Sequence, residues 1–313
     1  MTTSSHPSAP FLTVYSVGFS NRARSRCTAS VASILKMITW PLWILYQILK
    51  GGLGWELVGK TDSIKTPYAA VNGQSNPLDK AVWLMGLHLQ SEFGKDNVRE
   101  YTLFHNPSVG GVGDSWESLQ DKLGFTTPVS KQFSEVLQKA QKSEISVKWI
   151  AHSQGGIIFA EGVRYFLNGN SNTALLGGAN GLFKNKEKIS LNKHSVAFHS
   201  NGNNTYRSKF LLDRAGIEVI AVRGNENDFV YNILGMNAAN GWHVVRSIAY
   251  ANHVIGGSTQ QSSHTLPQGT AQLDQNMQYG PGKGRNALQR GVENVEIFAV
   301  THNVKAYIPN FLI

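Results

Sequence analysis

From Tyr68 onward the chain alternates short apolar runs with longer stretches of helical periodicity. Tyr68–Val71 (YAAV) predicts a strand that ends at Asn72-Gly73-Gln74. A helix follows over Leu78–Phe93, with Pro77 just before it and Gly94 just after. Arg99–Phe104 predicts a second strand, ending at His105-Asn106-Pro107. Residues 116–142 read as mostly helical, with a break at Thr126–Pro128. Ile145–Ile150 (ISVKWI) and Gly155–Leu167 make the next strand and helix. Ser195–His199, Ile217–Val222 and Val295–Val300 (VEIFAV) are further strands. Strands alternating with helices imply a mainly parallel sheet covered on both faces, so the expected fold class is α/β.

Residues 1–66 do not share this rhythm and read as an N-terminal extension to a domain over 67–313. They hold one strand-like stretch, Phe11–Gly18 (FLTVYSVG), and one long apolar segment at 31–49, VASILKMITWPLWILYQIL. Its apolar positions fall all round a helix, so it must be buried in protein or in lipid. Lys36 and Pro41 oppose a simple membrane span, whereas Trp40, Trp43 and the flanking Arg22, Arg24, Arg26 and Lys50 suit a lipid interface. A core-docked hairpin and a membrane-associating segment both fit. The long polar start argues against a cleaved signal peptide.

Composition narrows the function classes. The chain has 313 residues, 41% hydrophobic and 16% charged, which is enough apolar content for a sizeable core. The net charge is +9, and residues 1–60 carry six Lys and Arg against one acid, Glu56. That concentration disfavours a basic nucleic-acid groove across the molecule, and no nucleic-acid motif is present. The single cysteine, Cys27, excludes an internal disulfide framework and any CxxC site. The Gly-Pro-Gly-Lys-Gly at 280–284 lacks the spacing of a P-loop, and neither HExxH nor an EF-hand loop occurs. No cofactor and no metal are expected.

The chemistry centres on Ile150–Gly156, IAHSQGG. A buried strand runs straight into a polar-glycine turn and a helix begins at once. In such a nucleophile elbow a strained serine stands above the sheet, and small flanking residues, here Ala151 and Gly155, let strand and helix approach. Ser153 is the expected nucleophile, with the Gln154 amide at the helix start as an oxyanion donor. A second donor is expected from the loop after the first strand, at the Gln74 amide. A serine hydroxyl needs a base oriented by an acid. Asp228, in the loop after Ile217–Val222, is the expected acid, with Glu226 in reserve. His302, just past Val295–Val300, is the expected base, with His264 and His253 as alternatives. His105 and His152 close strands at the same edge and are candidate substrate contacts.

With these residues placed, the chain resembles the α/β-hydrolase fold of serine esterases and lipases. It is similar, more narrowly, to hydrolase domains of bacterial polymorphic toxins and secretion-system effectors. The segments carrying the likeness are VNGQSN at 71–76, FHNPSVGGVGDSWESLQDKLG at 104–124, AHSQGG at 151–156, RGNENDFV at 223–230 and THNVKAY at 301–307. The resemblance implies a Ser153–His302–Asp228 triad cleaving carboxylic esters, lipid above all. It also implies a bacterial protein, cytoplasmic before secretion or membrane-associated, that meets a chaperone or an immunity protein. Asp114 and Glu117 fall in a similar stretch but fit a solvated helix start. Residues 231–292, rich in Gln, Ser, Asn and Gly, exceed a simple connection and are expected to form a lid-like insertion. The competing reading is a membrane-associating scaffold on a catalytically silent fold.

Overall fold

The computed structural model describes residues 13–19, 54–73, 76–106, 127–169, 190–251 and 264–267. Seven strands form one sheet: β1 (Thr13–Phe19), β2 (Trp55–Lys60), β3 (Tyr68–Val71), β4 (Glu100–His105), β5 (Val147–His152), β6 (His194–His199) and β7 (Glu218–Arg223). The spatial order is β2-β1-β4-β3-β5-β6-β7. The run from β4 to β7 is parallel, and β1 lies antiparallel to both β4 and β2. The fold is therefore α/β, with a mostly parallel mixed sheet. The apolar segment 31–49, the strand expected at 295–300 and the Asp114–Glu117 pair lie outside the described residues. Among the described residues, no helix is long and apolar enough to cross a membrane.

Among the described residues, five α-helices and one π-turn accompany the sheet: α1 (Leu78–Phe93), α2 (Pro128–Gln141), α3 (Gln154–Leu167), α4 (Thr205–Ala215), the π-turn Val230–Leu234 and α5 (Gly241–Ala249). The bounds of α1 are those expected from Pro77 and Gly94, and the latter takes φ 92°, a conformation glycine adopts without steric cost.

Period-two alternation explains the layers. Ala69, Val71, Trp149, Ala151, Val196 and Phe198 face one side, where they meet Phe133 and Leu137 of α2, Phe159 and Val163 of α3 and Leu211 and Leu212 of α4. Ala70, Ile150 and Ala197 face the other side and meet Ala81, Leu84, Met85 and Leu89 of α1. Trp149 is completely buried in an aromatic cluster, with ring centroids 5.2 Å from Phe104, 5.3 Å from Phe133 and 5.6 Å from Phe159.

The chain enters the parallel run at β3, steps one way to β4, then returns past β3 to β5. The direction of winding reverses there. Open parallel sheets place their ligand sites outside the carboxyl ends of the strands at that point. Here the edge is formed by Asn72-Gly73 after β3, Asn106 after β4, Ser153 after β5, Ser200-Asn201 after β6 and the loop to Asp228 after β7.

The boundary expected at residue 66 is not one the sheet respects. β1 and β2 precede it, yet they continue the sheet from β4, with Val17 fully buried and Trp55 nearly so.

Candidate active site

Ser153 stands between β5 and α3 with φ 57° and ψ −123°, a backbone conformation unusual for any residue but glycine. Such a residue costs roughly 1–3 kcal/mol and survives only where its surroundings enforce it. Here its N–H donates to the carbonyl of His199 (3.2 Å), while its own carbonyl accepts from Gly156 (3.0 Å) and Gly202 (3.1 Å). Close packing needs absent side chains. A Cβ on Gly155 would lie 2.3 Å from the Val71 carbonyl oxygen, and one on Gly73 would lie 2.5 Å from the Ser153 Cβ. The small residue expected at Gly155 thus answers to the backbone of β3.

The imidazole that meets this serine is that of His264. Its Nε2 lies 2.7 Å from Ser153 Oγ, and its Nδ1 lies 3.0 Å and 2.9 Å from the two carboxylate oxygens of Asp228. A carboxylate only accepts, so Nδ1 carries the hydrogen and Nε2 is left to receive one from the serine hydroxyl. Asp228 is completely buried; its Oδ1 also accepts from the N–H groups of Val230 (2.9 Å) and Tyr231 (3.1 Å) at the start of the π-turn. Ser247 of α5 braces this loop, its hydroxyl accepting from Asn232 Nδ2 (2.8 Å) and reaching the Glu226 carbonyl (3.2 Å).

The expected Ser153 and Asp228 therefore come together, and the imidazole between them is one named as an alternative to His302. His302 lies outside the described residues, as does His253; the imidazole set on Ser153 belongs to the alternative, His264. The reserve acid Glu226 is instead ion-paired with Arg246 at 3.0 Å. The stretch expected as an insertion supplies, in its described parts, both the brace on the Asp228 loop and the imidazole on Ser153.

Gln154 opens α3 directly after Ser153, so its backbone N–H has no acceptor within the helix. Its side chain accepts from Asn106 Nδ2 at 2.8 Å. Gln74 lies outside the described residues, but its neighbours are held: the Gly73 carbonyl accepts from Asn72 Nδ2 (2.7 Å) and Asn76 Nδ2 (3.2 Å). Asn72 Oδ1 accepts from the Asn106 N–H at 2.9 Å, tying the end of β3 to that of β4. This asparagine net escaped the sequence reading. Its only signal is that β3 and β4 are each followed directly by asparagine, Asn72 and Asn106.

The two expected substrate contacts, His105 and His152, are both buried and hydrogen-bonded to neighbouring backbone. His105 is 8% exposed and donates from Nε2 to the Asn76 carbonyl at 3.0 Å. His152 is 2% exposed and donates from Nε2 to the His264 carbonyl at 2.8 Å. Burial holds the His152 imidazole well below its ordinary pKa, so it acts as a neutral donor. Beneath the same turn, His88 donates from Nε2 to the Thr265 carbonyl at 2.9 Å, and Leu266 is buried against the α1 side of the sheet. Among the described residues, no group of three or more His, Cys, Asp or Glu side chains is arranged to hold a metal ion.

No protein-family model, no curated protein and no solved structure matches the chain.

Proposed function

We propose that this chain is a serine hydrolase of the α/β-hydrolase type that cleaves carboxylic esters through an acyl-enzyme. The observation carrying the reading is the hydrogen-bonded series from Ser153 Oγ through the His264 imidazole to Asp228, mounted on a strained turn at the carboxyl edge of the sheet. In this mechanism Ser153 Oγ attacks the ester carbonyl as its proton passes to His264 Nε2. Asp228 stabilises the resulting imidazolium and fixes its ring. The oxyanion is received by the Gln154 N–H and by the loop after β3, where Gln74 is the second donor. His264 then gives its proton to the leaving alcohol; in the second half it takes one from water as the water oxygen attacks the acyl carbon, and returns it to Ser153 Oγ as the acid leaves.

The substrate class proposed is lipid. Support comes from the uncharged run Met37–Tyr46 with basic residues on either side, and from the resemblance to lipase-type effector domains. That resemblance also favours a secreted bacterial effector with a chaperone or immunity protein as partner. The test is labelling of the full chain with a fluorophosphonate probe, followed by release of free fatty acid from a panel of phospholipids and neutral lipids. Labelling that disappears in Ser153→Ala is expected. A folded wild-type chain that takes no label would favour a catalytically silent scaffold. Label without fatty-acid release, but with turnover of short soluble esters, would replace lipid by small esters.

A further inference from the structure

His88 and His199 form a buried pair whose hydrogen bonds can be counted. His88 Nε2 faces the Thr265 carbonyl at 2.9 Å, and the two Nδ1 atoms face each other at 2.8 Å. His199 Nε2 faces Glu92 Oε2 at 3.2 Å. Both ends of this series are oxygen acceptors, so each of the three contacts needs a hydrogen supplied by the imidazoles. Two neutral imidazoles supply two. Arg223 grips Glu92 with two bonds, Nε to Oε2 at 3.0 Å and Nη2 to Oε1 at 3.1 Å, which favours the carboxylate over the acid.

We propose that the His88–His199 pair holds one proton more than two neutral imidazoles, balanced by the Glu92 carboxylate, and that this proton clamps the His264–Thr265 turn so that the base faces Ser153. His88, His199 and Glu92 are positioning residues, since none touches the reacting atoms. The effect on catalysis rests on the hydrolase reading above; the proton count does not. The charged and titratable groups packed around the pair are Glu92 on α1, Arg223 on β7, His152 on β5 and His264 on the turn, while Lys80 of α1 acts on His152. Burial pushes both imidazoles below the ordinary histidine range, and at His199 the hydrogen bond to Glu92 and its charge oppose that push. The hydrogen bond from His199 and the grip of Arg223 hold the Glu92 carboxyl down to about 2, so it stands as the counter-charge against burial. When rising pH removes the shared proton, three contacts are left with two hydrogens. One of the three contacts must open, whether an end or the central Nδ1–Nδ1 contact, and the series that holds the turn is weakened.

Two substitutions at Glu92 then act in opposite directions. Glu92→Gln supplies an amide N–H to His199 Nε2 as the half-exposed Arg223 turns to solvent, so all three contacts persist with both rings neutral. Glu92→Ala removes the counter-charge, and the shared proton leaves at lower pH. The experiment measures the rate of fluorophosphonate labelling of Ser153 against pH for the full-length wild type and both variants, with ¹⁵N-histidine spectra of the same samples. The expected result is an alkaline decline that moves to lower pH in Glu92→Ala and flattens in Glu92→Gln. The spectra, assigned with His88→Gln and His199→Gln chains, should show one imidazolium shared by this pair near neutral pH in the wild type and none in Glu92→Gln. Superimposable pH curves in all three chains, or two neutral rings in the wild type at pH 6–7, would overturn the proposal. An imidazolium found in a chain that takes no label would leave the proton count standing and remove the hydrolase reading.

Discussion

His194 shows how folding fixes the charge of a single side chain. Its Nδ1 accepts from the Trp149 indole N–H at 3.0 Å while its Nε2 donates to the Leu137 carbonyl at 3.0 Å. A proton added at Nδ1 would point at the indole hydrogen, and burial pushes the imidazole down to about 4. The unfolded chain therefore binds the proton first, and stability present above pH ~6.5 is lost as pH falls from there towards 4. The span corresponds to roughly 3 kcal/mol. In His194→Gln the amide can accept from Trp149 and donate to Leu137 without titrating. Urea unfolding at pH 7.5 and pH 5 should show a smaller acid loss in that variant than in the wild type; equal losses would mean that other groups carry the effect. The triad gives a second residue-scale expectation. His264→Ala should lower labelling of Ser153 by about 10⁴-fold or more, on the scale of other triads, whereas His302→Ala should leave it within a few-fold. A chain indifferent to His264→Ala and silenced by His302→Ala would refute the assignment made from the 2.7 Å contact.

At the scale of elements, the serine turn depends on how closely α3 lies against β3. In Gly155→Ala the new Cβ meets the backbone of Val71 and Asn72, at 2.3 Å from the Val71 oxygen and 3.1 Å from the Asn72 oxygen, so no rotamer change relieves it. Strand and helix must separate, at a cost of ~1–3 kcal/mol or more. Thermal melts and labelling should both fall in this variant. Gly59→Ala in β2, where a Cβ meets nothing within 4 Å, should change neither. Elements with both faces buried were legible in the sequence for the reason this site is tight: YAAV and ISVKWI are short apolar runs cut off by polar-glycine turns, and α1 has proline and glycine at its ends. β2 was not legible, because WELVGK shows no period of two, with Glu56, Leu57 and Val58 all exposed in succession and only Trp55 buried. The turn bearing His264 is harder still. Four residues in a polar stretch have no period, and their placement depends on Leu266 packing on the α1 side and on two carbonyls capped by His88 and His152. Those are long-range contacts, so chain order favoured the histidine after the last expected strand.

For the whole molecule, the edge strands connect stability to the chemistry. Trp55 of β2 lies against α1 so closely that a Cβ on Gly86 would sit 2.2 Å from its Nε1, and its ring packs edge-on against Phe19 of β1 and Tyr101 of β4. The same helix carries His88 and Glu92, which reach the His264–Thr265 turn and β6. Residues before 67 thus brace the helix that orients the base, although the pattern of the chain reads them as an extension. Removing them exposes the edge of β4 and loses the burial of Val17 and Trp55, at ~1.5–3 kcal/mol each, a large share of the 5–15 kcal/mol that stabilises an ordinary domain. A chain beginning at residue 67 should therefore aggregate or melt without a cooperative transition. The milder Trp55→Ala should remain folded, lose about 3–5 kcal/mol and label more slowly. Circular dichroism melts and probe labelling measure both effects. If the chain from 67 melts cooperatively at the wild-type temperature and labels at the wild-type rate, then β1 and β2 are ornament, and α1 orients the base without their help.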